Sequence, residues 1–90
     1  MQQTQLIIVK GKVHCVYYRQ STVDVASQLN LAGTVRNVKD GSVEIIATGS
    51  AESLQRLVDW CHRGPSRASV EEVIVQPLPL RDDSSFVIRR

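Results

Sequence analysis

Ninety residues, 42% hydrophobic and 22% charged, suit one ordinary globular domain near the small end of what folds on a hydrophobic core alone. A formal charge of +2 is too small to imply a nucleic-acid partner, yet it leaves a basic site unopposed for a small anion. Two cysteines make no disulfide framework, no spacing resembles a zinc site, and no stretch reads as a signal peptide or membrane span. The expectation is a single cytoplasmic domain over 1–90, with reduced thiols, no membrane partner and no nucleic acid.

Leu6 to Val13 alternates. Ile7, Val9, Gly11 and Val13 lie on one side, and Leu6, Ile8, Lys10 and Lys12 on the other, which predicts a first strand with one buried face. It leads into Gly11-Lys12-Val13-His14-Cys15-Val16-Tyr17-Tyr18-Arg19, where a strand turns into a helix. Such a turn aims several free backbone N–H groups at one spot, and anions bind there. Arg19, at the far lip, adds a planar cation whose donors suit phosphate or carboxylate. The stretch therefore predicts an oxyanion site, above all for a phosphoryl group. Tyr17 and Tyr18 are expected to pack the loop against the core rather than do chemistry.

Ser21 is placed as an N-cap with Asp24 three residues on, and Thr22, Val25, Ala26 and Leu29 recur at helical spacing. Gly33 is placed to end this helix. A second strand is expected over Thr34–Val38, then a type I′ turn at Asp40-Gly41, then a third strand over Ser42–Gly49 with Val43, Ile45 and Ala47 inward. Ser50 caps a second helix with the stripe Leu54, Leu57, Val58 and Cys61, stopped at Gly64-Pro65. Val70–Gln76 reads as a fourth strand, and Phe86-Val87-Ile88 as a possible short edge strand.

The order is β-α-β-β-α-β with a possible fifth strand. The handedness of crossovers favours a split βαβ arrangement, an α+β fold with a mostly antiparallel sheet and both helices on one face. In that layout the first two strands run in the same direction, so the loop from His14 to Arg19 and Asn37 become neighbours at one edge. Asn37 shares a face with Val35, so its amide should point to the helix-covered side and need a partner.

At these residues the sequence resembles the acylphosphatases. The matching stretches are Gly11-Lys12-Val13 through Val16-Tyr17-Tyr18-Arg19, Leu31-Ala32-Gly33, Val35-Arg36-Asn37 with Asp40-Gly41-Ser42-Val43-Glu44, then Trp60, Gly64-Pro65 and Ala68-Ser69-Val70. The resemblance implies a ferredoxin-like α/β sandwich. It also implies hydrolysis of an acyl phosphate to carboxylate and inorganic phosphate, with no cofactor and no metal. By similarity, Arg19 and the backbone amides of Cys15, Val16, Tyr17, Tyr18 and Arg19 hold the phosphoryl group, and Asn37 positions the attacking water. Inorganic phosphate or sulfate is the expected product-like ligand, and a monomer the expected state. An acyl phosphate already carries a good leaving group, so positioning water and stabilising oxyanion charge are the main tasks.

The chain departs from the family where Gln-Gly is usual and His14-Cys15 stands instead. Backbone wrapped around a phosphate often needs positive φ or close approach, both awkward for a residue with Cβ. Cys15 is thus expected to strain the cradle, displace one amide or narrow the pocket, and a catalytically weakened binding or regulatory module is the alternative to an enzyme. A cysteine phosphatase needs five residues between Cys and Arg, whereas only Val16, Tyr17 and Tyr18 separate Cys15 from Arg19. An RNA-recognition domain needs exposed aromatics on its central strands, and Leu6, Ile8, Lys10, Glu44, Ile46 and Thr48 supply none.

Overall fold

The computed structural model describes residues 1–14 and 17–89. Its elements are β1 (Gln2–Lys12), α1 (Tyr18–Gln28), β2 (Ala32–Asn37), β3 (Val43–Ser50), α2 (Ala51–Arg63), β4 (Ser69–Leu78) and β5 (Phe86–Ile88). The strands form one sheet in the order β4-β1-β3-β2-β5. All neighbours are antiparallel except β2 and β5, which pair in parallel through Gly33↔Phe86, Thr34↔Val87 and Val35↔Ile88. The alternation of Ile7 and Val9 with Leu6 and Ile8 turns the first pair into the core. They join Val35, Val43, Ile45 and Ala47 beneath Tyr18 and Ala26 of α1 and Leu54, Leu57 and Cys61 of α2, all essentially without solvent contact. The split βαβ architecture agrees with the sequence reading.

β1 begins earlier than its apolar alternation. Gln2 to Gln5 pair with Ser50 to Ala47 of β3, so backbone hydrogen bonds extend the strand where side chains give no signal. Thr4 lies on the sheet face away from the helices but is buried there. Its hydroxyl is 2.6 Å from that of Thr48 and accepts a bond from the Arg81 backbone N–H at 2.9 Å.

Three local expectations are corrected. First, α1 starts at Tyr18, and Tyr17 is its N-cap residue in the left-handed region at φ 65°; Ser21 lies in the first turn, donating its N–H to the Tyr17 carbonyl. Tertiary contact decides the start. The buried Tyr18 ring sends its hydroxyl to the Cys61 carbonyl at 2.9 Å, and the Thr22 hydroxyl donates to the Tyr18 carbonyl at 2.7 Å. Second, the helix ends at Gln28 with Leu29 as its C-cap, followed by Asn30 at φ 60°; asparagine tolerates that conformation without glycine. Gly33 belongs to β2, at φ 144°, where a Cβ would collide with the Ile46 carbonyl.

Third, the β2–β3 hairpin does not turn on two residues. Val38 N–H donates to the Ser42 carbonyl, Gly41 N–H donates to the Val38 carbonyl, and only Gly41 has positive φ, at 95°. That is a three-residue loop with a glycine bulge. Asp40 selects it by accepting both the Ser42 N–H at 2.9 Å and the Ser42 hydroxyl at 2.6 Å. Those bonds hold the Asp40 carboxyl below its ordinary range.

Candidate active site

β1 and β2 each run antiparallel to β3, which lies between them, so both end at the same edge of the sheet. At that edge a pocket of about 330 Å³ is lined by Val13 at the end of β1, Tyr17, Tyr18, Arg19 and Gln20 at the start of α1, Asn37 at the end of β2, and Ile88 of β5. The structure thus brings Tyr17, Tyr18, Arg19 and Asn37 together, as the topology required. Cys15 and Val16 lie outside the described residues, and with them the expected effect of Cys15 on the cradle.

Asn37 carries the most informative atom. It is the last residue of β2, on the helix-covered face with the fully buried Val35. Its Oδ1 is buried and has no hydrogen-bond partner among the described residues. A buried amide oxygen left unpaired costs roughly 1–3 kcal/mol. Such a group in a native fold calls for an account, and a bound water or ligand in the pocket supplies one.

The start of α1 faces the same space. Among the described residues no side chain caps it, no acidic residue stands in its first turn, and Tyr17 takes the left-handed conformation. Helix geometry leaves the first amides without carbonyl acceptors inside the helix, and the macrodipole places partial positive charge there. Arg19 adds a full charge and forms no ion pair among the described residues. This end of the pocket is therefore built for an anion.

Tyr18 holds the floor. Burial, above all, pushes its hydroxyl far above the ordinary tyrosine range, and proximity to Cys61 adds to the shift. Burial likewise pushes the Cys61 thiol from 9.0 to about 12, against a small opposing contribution from Tyr18. Both groups are neutral near pH 7 and serve as packing. The Tyr18 ring also meets Trp60 at 5.2 Å between centroids, tilted by 50°. Tyr17 behaves differently from the expectation of core packing: its side chain is out at the lip of the pocket, and the residue is 80% exposed. The left-handed backbone at this position turns it away from the core that Tyr18 enters.

Two features were not anticipated. His14 Nε2 lies 2.8 Å from the Ser42 carbonyl, tying the start of the loop to the hairpin that carries Asn37. No sequence spacing signals that pair, because the two residues meet only once β3 is in place. Ile88 lines the pocket from β5. Its period-two relation to the core residue Phe86 was a usable signal, since it puts Ile88 on the helix side.

A family model for acylphosphatases matches residues 5–88. The chain belongs to the acylphosphatase family. A curated acylphosphatase of Marinobacter nauticus is 53% identical over 73 residues, covering 81% of this chain and 79% of that protein. The solved acylphosphatase of Coxiella burnetii superposes with a TM-score of 0.95 at 34% identity, over 98% of this chain and 93% of that one. The acylphosphatase of Bacillus subtilis gives 0.95 at 33% identity, with both chains covered completely. The ferredoxin-like fold and the acylphosphatase activity, that of a hydrolase acting on small acyl phosphates, follow from these matches. No helix among the described residues is long and apolar enough to cross a membrane.

Proposed function

We propose that this acylphosphatase binds the phosphoryl group of its substrate between the Arg19 guanidinium and the loop amides of Cys15 through Arg19, while Asn37 positions the water that attacks phosphorus. The observation that supports this reading is that Asn37, whose buried Oδ1 has no hydrogen-bond partner among the described residues, lines the same pocket as Arg19. An Oδ1 in that state accepts a hydrogen bond from water and aims a lone pair of the water oxygen at the bound phosphorus. The P–O bond to the acyl group breaks as the new P–O bond forms, the carboxylate leaves with the electron pair, and the proton of the water passes to the phosphate product or to solvent. A carboxylate is stable as an anion at neutral pH, so it needs no acid to protonate it. The charge on the equatorial phosphoryl oxygens is met by preorganised donors, which cost no reorganisation at the moment of reaction.

The same reading makes inorganic phosphate, or sulfate in its place, a competitive product-like ligand of the pocket. We further propose that the chain acts as a single cytoplasmic domain and as a monomer; the one core that its helices and strands share supports the single domain. Hydrolysis of benzoyl phosphate in ¹⁸O-labelled water tests the mechanism. The label is expected in phosphate and not in benzoate; label in benzoate means attack at carbon and overturns it. Asn37→Ala should lower kcat by about 10²–10³-fold with KM much less changed, because the positioned water is used only on the way to the transition state.

A further inference from the structure

We propose that Ile88 and Tyr17 form a subsite for the acyl group, and that it selects acyl phosphates with an uncharged, aromatic or branched apolar acyl part. The proposal rests on the reading that Arg19 and Asn37 hold the phosphoryl end of the same pocket. Of the six exposed large hydrophobic residues among the described ones, Ile88, 41% exposed, and Tyr17, 80% exposed, line one cavity. Neither owes its position to chance fraying. Tyr17 is itself the left-handed N-cap residue of α1, and its side chain lies at the lip of the pocket. Ile88 is bracketed by backbone bonds that dock β5 to β2, from Gly33 N–H to the Ser85 carbonyl at 3.0 Å and from Arg89 N–H to the Val35 carbonyl at 2.8 Å.

The strand register explains the division of labour along β5. Phe86 pairs with Gly33 and points into the core, 6% exposed; two residues on, Ile88 pairs with Val35 and points the same way, where the core has run out and the pocket begins. Val35 and Asn37 lie on the same face of β2. An acyl chain leaving the phosphorus beside Asn37 therefore has the Ile88 and Tyr17 side chains among the pocket walls within its reach.

Charge sharpens the class of substrate. Among the described residues lining the pocket, Arg19 is the one charged side chain, and no carboxylate accompanies it. An ammonium on the acyl part has no counter-ion there, and a second carboxylate competes with the phosphoryl group for Arg19. An apolar acyl group does neither, and it removes Ile88 and Tyr17 surface from water.

Binding and turnover separate this proposal from the reading beneath it. Benzylphosphonate and methylphosphonate carry the same anionic head and cannot be hydrolysed, so titration calorimetry compares the subsite without catalysis. Benzylphosphonate is expected to bind at least about tenfold more tightly, and Ile88→Ala to shrink that ratio about fivefold. Ile88→Leu should restore it. In turnover, the ratio of kcat/KM for benzoyl phosphate over acetyl phosphate should fall by a similar factor in Ile88→Ala, through KM. Taking ratios within one variant cancels any loss of folded protein. Equal binding of the two phosphonates by the unaltered protein overturns the subsite, as does an unchanged ratio in Ile88→Ala. Preferential binding without any acyl phosphate hydrolysis would instead leave the subsite standing and remove the catalytic reading.

Discussion

α2 begins closed and α1 begins open. At the start of α2, the Ser50 hydroxyl accepts the Ser53 N–H at 3.1 Å and Glu52 adds a negative charge to the first turn. The N-terminus of that helix is satisfied by its own sequence, in the way that stabilises helices generally. At the start of α1, the N-cap residue is a tyrosine with positive φ, no side chain among the described residues caps the turn, and no acid stands in it. What α1 has instead is Arg19, a further positive charge where the dipole is already positive. Taken as a matter of helix stability alone, α1 is badly designed. The difference favours the proposed phosphoryl site: the helix end beside Asn37 has a cation and no acid in its first turn, which suits an external anion.

The comparison can be broken most directly at Arg19. Arg19→Gln keeps the length and polarity of the side chain but removes the charge, and kcat/KM for an acyl phosphate should drop by about 10³-fold. Thermal stability should hold or rise, since a like charge leaves the positive helix end. A loss of stability together with activity would show that Arg19 holds the fold and that the open end has no ligand. Ser50→Ala is the matching change at the closed end. It should cost about 1 kcal/mol, or a fall in Tm of about 4–8 °C for a domain of this size, with kcat/KM unaltered. Activity that fell with it would mean that the two helix ends are not independent.

The smallest effect concerns the residue that links the two helices. Tyr18→Phe removes the hydroxyl donated to the Cys61 carbonyl and should cost about 1 kcal/mol near pH 7, read by urea unfolding. Its pH dependence is more telling. Tyr18 and Cys61 both have folded values raised above their unfolded ones, so no stability is lost while both states stay protonated, below about pH 8.5. As pH rises further the unfolded chain ionises first and stability falls, for Cys61 until its folded value of about 12 is reached. Tyr18→Phe should flatten the part of that decline that begins near about pH 10. An unchanged slope would show that the phenol is not held neutral by the interface of the helices.

Much of this molecule was legible in its sequence where periodic burial decides the outcome. The alternation of Ile7 and Val9, the Val43-Ile45-Ala47 face, and the Leu54-Leu57-Cys61 stripe all lie in the core as read. The Ser50 cap and the Gly64 stop were also plain, because each is a local device with a local signal. What local reading mistook was the start of α1, where the buried Tyr18 overrides the cap that Ser21 offered, and the hairpin, where the Asp40–Ser42 bonds favour a longer loop than Asp40-Gly41 suggests. Of the site, Arg19 and Asn37 could be named from motif and topology together. The face of Ile88 could be read from its period-two spacing to Phe86, but the contact of His14 could not, since it depends on a segment distant in sequence.

The place of β1 in the sheet has a consequence for how the protein is made. The first strand of the chain lies between β3 and β4, so it cannot satisfy either of its edges until distant segments have arrived. Closing such loops costs entropy before any contact returns it, which slows folding in proteins whose contacts span long stretches of sequence. The loop that follows β1 and the residue that ends β2 come within reach of one another only after β3 has slotted between the two strands. A newly synthesised chain thus carries Arg19 and Asn37 for most of its assembly without owning the pocket they line, and anion binding at the proposed site would mark the moment when its central strands have found their order.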